Sequence, residues 1–170
     1  IASVWMILGT IKTAIMRLFM LLAGSTLVVS LFQIVRLAFG PDVLSFGLFS
    51  GDPTFSPLGG WNDLAIFFGL AIMLSLVALE QLRLTKLGQL LSGLVVAVAL
   101  VMLAVINFFA VWVVLCLVSL VVLMYGLTKD RFGGRLSGTT ETKYAISMVS
   151  ICISLVVLIA SITFILGGAL

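Results

Sequence analysis

Arg36 and Gln33, one helical turn apart at the end of a long apolar run, are the pair in this chain with the clearest chemical use. A guanidinium presents paired N–H donors that match phosphate oxygens bidentately, so an arginine at the rim of an apolar stretch can hold a phosphate. Farther along, Trp61 offers an aromatic face for stacking on a sugar or a lipid head group, and Asp63 or Asp52 offers a carboxylate for hydrogen bonds to hydroxyls. Arg36, Trp61 and Asp63 are therefore the candidate binding residues. Each has a plainer reading as well. Arg36 can snorkel to a membrane surface or pair with Asp42, and the stretch holding Trp61 and Asp63 can be an interfacial loop with an aromatic anchor.

No residue reads as catalytic. The chain has no histidine, which removes the common zinc and catalytic-triad constellations. Its two cysteines, Cys116 and Cys152, lie inside apolar runs and read as small packing residues, with no metal-ligand spacing and no disulfide framework. The segment Thr128 to Gly138 mixes basic residues with glycines but lacks the Gly-x4-Gly-Lys-[Ser/Thr] order, so it reads as a connector and not as a phosphate loop. Neither a metal nor a cofactor is expected.

The elements that would position these residues follow from hydropathy. Hydrophobic residues make up 63% of the chain and charged ones 9%, far from the roughly one quarter charged that is usual in soluble domains. Between Lys86 and Lys129 lie 42 residues with no charge at all, which as helix is roughly twice a bilayer's hydrocarbon thickness. That stretch reads as a membrane hairpin with its turn at Asn107-Phe108-Phe109. The expected fold class is all-α integral membrane, a bundle of about five transmembrane helices spanning 14–39, 64–79, 87–106, 108–127 and 145–166. An outer loop, 40–63, and inner loops, 80–86 and 128–144, join them. Helix two is the marginal member, with an apolar core of 16 residues against the usual minimum of about 17. Asn62 and Asp63 are expected to cap its start. Residues 1–9 read as the tail of an earlier helix or as an interfacial segment, and the chain as a piece of a longer one. Asn107 reads as a turn residue, and Ser92, Ser119, Ser147, Ser150, Ser154 and Ser161 as small residues that let helices approach.

Charge sets the expected orientation. Lys12, Arg17, Arg83, Lys86, Lys129, Arg131, Arg135 and Lys143 fall on one side of a five-pass arrangement and only Arg36 on the other, so the positive-inside rule puts the N-terminus in and the C-terminus out. The net charge of +3 thus belongs to membrane topology, with lipids as partners and no nucleic acid.

The run Pro57-Leu58-Gly59-Gly60-Trp61-Asn62-Asp63-Leu64, followed later by Val105-Ile106-Asn107-Phe108-Phe109-Ala110-Val111-Trp112, resembles multi-pass proteins of the O-antigen ligase and polymerase superfamily found in candidate-phylum bacteria. The resemblance covers most of the chain from helix one onward. It implies a multi-pass protein of the bacterial cytoplasmic (inner) membrane that takes part in cell-envelope glycan transfer from a polyprenyl-pyrophosphate-linked donor. It also implies a glycosyltransferase whose catalytic loop, rich in Arg and His, lies outside these residues. The competing expectation is a non-enzymatic membrane scaffold subunit or a transporter component. The apolar span centres, without charge or proline, count against transport.

Overall fold

The computed structural model describes the backbone of residues 2–40, 56–81, 84–133 and 141–168, and the side chains of 14–40, 56–81, 84–128 and 148–168. Among these described residues five helices follow in order: α1 (Ala2–Phe39), α2 (Trp61–Gln81), α3 (Lys86–Ile106), α4 (Phe109–Gly133) and α5 (Glu141–Gly167). Each contains a stretch long and apolar enough to cross a membrane. An α-helix satisfies its own backbone N–H and C=O groups, which is the condition for a chain of this composition to sit in hydrocarbon.

The helices run farther than hydropathy suggested. α1 continues back through residues 2–9, expected to be a separate segment, as one 38-residue helix. α2 gains a turn at its start and reaches 21 residues, which removes the doubt about its length. α4 extends past the expected end at 127 to Gly133, because Lys129, Asp130 and Arg131 are compatible with helix and nothing breaks it before the glycine pair Gly133-Gly134. α5 begins at Glu141, so the expected connector 128–144 is helical at both ends.

Local chemistry explains the ends. Gly40 closes α1 with φ +99° and a bond from its N–H to the Arg36 carbonyl at 3.0 Å, a conformation open to glycine. The Oγ1 of Thr85 accepts from the Gly88 N–H at 3.2 Å and caps α3. Asn107 ends it in the left-handed conformation, φ 51° and ψ 50°, with its N–H bonded to the Leu103 carbonyl. The turn reading of Asn107 holds.

Packing places the marginal helix at the centre. α2 touches all four other helices and is the most enclosed of the five. Where lipid replaces water there is little hydrophobic drive between helices, and close van der Waals fit, by small and large residues alike, decides who packs. A Cβ on Gly69 would lie 2.5 Å from Val111 Cγ1, so α4 seats a valine directly against the α2 backbone. Ala71 meets Ala23 of α1 and Val95 of α3, and Ala78 and Leu79 meet Phe19 of α1. The main core joins Leu64, Phe68 and Ile72 of α2 to Met102 and Leu103 of α3, Trp112 and Leu115 of α4 and Val157 of α5.

One consequence departs from the sequence reading. Among the described residues α3 and α4, joined through Asn107 and Phe108 and read as a hairpin, are not packed neighbours. α3 lies on α2, α1 and α5, whereas α4 lies on α5 and α2. α4 and α5 keep one antiparallel register along their length, from Trp112 against Phe164 to Gly126 against Ile151.

Candidate functional site

α1 carries an inverted pattern that brings its polar residues together. Phe19, Ala23, Thr26, Ser30, Gln33 and Arg36 recur at intervals of three and four residues and are all buried, while Leu18, Leu21, Val28, Leu31 and Ile34 on the other side are exposed. This is a helix with its polar stripe against its partners and its apolar face outward, the arrangement suited to lipid. The lower hydroxyls are satisfied within the helix: Thr26 Oγ1 donates to the Leu22 carbonyl at 2.8 Å and Ser30 Oγ to the Thr26 carbonyl at 2.7 Å. Above them Gln33 and Arg36 are both fully enclosed, at 0% exposure. The guanidinium carbon of Arg36 stands 5.8 Å from the ring centroid of Phe32, at the outer limit of a cation–π contact. Arg36 and Gln33 thus share one face, as their spacing suggested. The structure holds this arginine inside the protein, where the plainer reading had it snorkelling outward. Asp42, its suggested partner, and Asp52 lie outside the described residues.

Trp61 and Asp63 sit together on the first turn of α2, and the turn before them explains their placement. Ser56 and Gly59 exchange backbone hydrogen bonds at 2.9 and 3.0 Å around Pro57 and Leu58. Ser56 Oγ donates to the Gly59 carbonyl at 3.0 Å and accepts from the Leu58 N–H at 3.3 Å, and Gly59 has φ +125°. The chain leaves this turn at Gly60, whose carbonyl accepts the Leu64 N–H at 3.2 Å and whose own N–H donates to Asp63 Oδ2 at 3.0 Å. Gly60 is therefore the N-cap of α2. Asp63 works from the third helical position in the reciprocal half of a capping box, and Asn62 stands exposed between them. The expected capping by Asp63 is thus present, made from the third helical position and not from the N-cap itself, whereas Asn62 makes no capping bond among the described residues.

The carboxylate of Asp63 is exposed but has one oxygen committed to the helix start. The Trp61 ring is half-buried and packs against the main core, so only part of its face is open to a ligand. Antiparallel packing, with Phe19 near Ala78 and Ala23 near Ala71, carries the Arg36 end of α1 to the level of the Trp61 end of α2. The three candidate residues lie at one end of the bundle, two of them already engaged in structural work.

Sequence reasoning passed over Thr26 and Ser30. The signal was present in their spacing to Gln33, which continues the same three-and-four interval down the helix. Of the serines assigned to packing, Ser92, Ser119, Ser150, Ser154 and Ser161 are buried. Ser119 and Ser161 bond back to the carbonyls of Cys116 and Val157 at 3.1 and 2.8 Å. Ser147 has no described side chain. Among the described residues no three His, Cys, Asp or Glu side chains gather as a metal site.

In comparisons with models of known families, with curated proteins and with solved structures, nothing matches this chain.

Proposed function

We propose that the chain crosses the bacterial cytoplasmic membrane five times, N-terminus in and C-terminus out, as the membrane-embedded section of an O-antigen ligase-like protein that handles a polyprenyl-pyrophosphate-linked glycan. The observation that carries this reading is the complete burial of Arg36 beside Gln33 at the Trp61 end of the bundle. Enclosing a guanidinium costs several kcal/mol in principle, and such a residue within an apolar span is by default a functional group. In this reading Arg36 holds a phosphate of the donor, the open part of Trp61 stacks on a saccharide and the second oxygen of Asp63 orients a hydroxyl. The described helices supply binding and positioning, and the transfer chemistry is done by other groups.

The test is binding of a polyprenyl pyrophosphate by the protein in lipid nanodiscs, with the uncharged polyprenol as control. A charge-assisted hydrogen bond contributes about 1.5–3 kcal/mol, so Arg36→Ala should weaken binding about 10-fold or more and Arg36→Lys by less. Equal binding by wild type and Arg36→Ala, with the variant well folded, would remove the proposal.

A second reading, a non-enzymatic scaffold subunit, is favoured by a different observation. The mid-span hydroxyls of Thr26, Ser30, Ser119 and Ser161 are bonded to carbonyls of their own helices, leaving those positions to packing. A folded protein with no affinity for the pyrophosphate would support it.

A further inference from the structure

Among the hydroxyls within the spans, one between α2 and α3 differs from most of the others. Thr26, Ser30, Ser119, Ser161 and Thr163 each donate to a carbonyl of their own helix at 2.7–3.1 Å, the usual bond of a hydroxyl withdrawn from water. Ser92 of α3 is 0% exposed, and its Oγ has no hydrogen-bond partner. A buried hydroxyl in that state loses its hydration and gains nothing for it, which is why such groups in folded proteins are nearly always met by a protein group or an ordered water.

The register of α2 against α3 brings a second hydroxyl to it. Ala71 of α2 and Val95 of α3 lie in one cluster with Ala23 of α1, and Leu79 and Leu84 lie in another with Phe19, nearer the connection between the two helices. In an antiparallel pair, one turn from Ala71 and one turn from Val95 toward that connection reach the same level, and the residues there are Ser75 and Ser92. Leu64, Phe68, Ser75 and Leu79 recur at helical spacing along one buried stripe of α2, and Ser75 is 1% exposed. Ser92 shares the buried face of α3 with Gly88, Val95, Val96 and Ala99. Phe68 and Leu79 fill the stripe on either side of Ser75 and hold the backbones apart, so two short side chains opposed at this level leave room between them.

We infer that Ser75 and Ser92 hold one buried water molecule between α2 and α3, about 9 Å along α3 from its start. The chemistry of the pair selects water. Each hydroxyl is both a donor and an acceptor, a water is both twice over, and backbone carbonyls of the two helices keep a second lone pair for a third bond. With both serines enclosed there is no opening for a larger ligand. Close packing alone is served by alanine, which these helices use at Ala71 and Ala99 and which brings no hydroxyl to be satisfied. The water gives the central helix a polar joint to α3 at one level of an interface otherwise closed by apolar side chains. This inference does not depend on the phosphate-binding role of Arg36.

The test is water-edited solid-state NMR on the full chain in phosphatidylcholine vesicles, reading polarisation transfer from water protons to the serine Cβ carbons. Ser119 and Ser161 are the controls, both buried and both bonded to their own helices. The expected result is build-up at Ser75 and Ser92 severalfold faster than at the controls and, in Ser92→Ala, a fall at Ser75 to the control rate with Ser119 unchanged. Build-up at Ser75 and Ser92 no faster than at the controls overturns the inference, since the hydroxyls are then bonded to carbonyls or to each other. Fast build-up at Ser75 that survives Ser92→Ala also overturns it, because water then reaches α2 without the pair. Should Ser92→Ala fail to fold, the wild-type comparison decides by itself.

Discussion

The indole of Trp112 lies flat on the ring of Phe164, with centroids 4.4 Å apart and an interplanar angle of 0°. This stack joins α4 to α5 at the end of the bundle where Trp112 also meets the α2–α3 core, so one side chain connects four helices. Aromatic pairs of this kind contribute about 0.5–1.5 kcal/mol beyond their packing. A double-mutant cycle with Trp112→Leu and Phe164→Leu, followed by thermal unfolding in detergent, should return a coupling in that range. Trp112→Phe should cost less than Trp112→Leu, because the ring contact survives and the indole N–H makes no hydrogen bond among the described residues.

The contact between Gly69 and Val111 predicts a rescue. Gly69→Ala puts a methyl 2.5 Å from Val111 Cγ1 and should destabilise the protein by about 1–3 kcal/mol, the usual effect of overpacking. Val111→Ala removes the obstructing methyls. The double variant should therefore be more stable than Gly69→Ala alone in the same unfolding assay, and additive losses would mean that α4 does not seat its valine on α2.

At the start of α2 the same oxygen of Asp63 serves the cap and crowds Gly59. Asp63→Ala should cost about 1 kcal/mol in unfolding free energy through loss of the capping bond, and Asp63→Asn, which keeps an acceptor, should cost less. Gly59→Ala should be worse than Asp63→Ala, by about 1–3 kcal/mol in total, since alanine at φ +125° is strained and its Cβ would meet Asp63 Oδ2. If all three variants unfold like the wild type, the capping arrangement is absent in the membrane-borne protein.

Asn107 predicts a graded series. Left-handed backbone costs a residue with a Cβ roughly 1–2 kcal/mol, and β-branched residues most. Asn107→Gly should be neutral or slightly stabilising, and Asn107→Val destabilising by about that amount. Equal stability across the series would show that the α3–α4 turn tolerates another conformation.

Orientation is testable with the same turn. In a background lacking Cys116 and Cys152, a membrane-impermeant maleimide should label Asn107→Cys in intact cells and Lys86→Cys only after lysis. The reverse pattern would invert the proposed topology.

The five apolar helices among the described residues, the end of the first at Phe39 and the turn at Asn107 were legible in the residues alone, because length, apolarity and turn chemistry are local properties. The shared face of Gln33 and Arg36 was legible for the same reason, since a spacing of three residues defines a face on any helix. Which helices pack together was not. A helix that is apolar all round carries no inside-outside hydropathy signal: Leu64, Phe68 and Ile72 of α2 are buried while Ile66, Leu70 and Leu74 are exposed, although their hydropathies are alike. Only tertiary packing could reveal that the shortest-looking helix is the central one, that α3 and α4 part company despite their short connection, and that Arg36 is enclosed. Each of these depends on close van der Waals fit between segments distant in sequence, which hydropathy does not record.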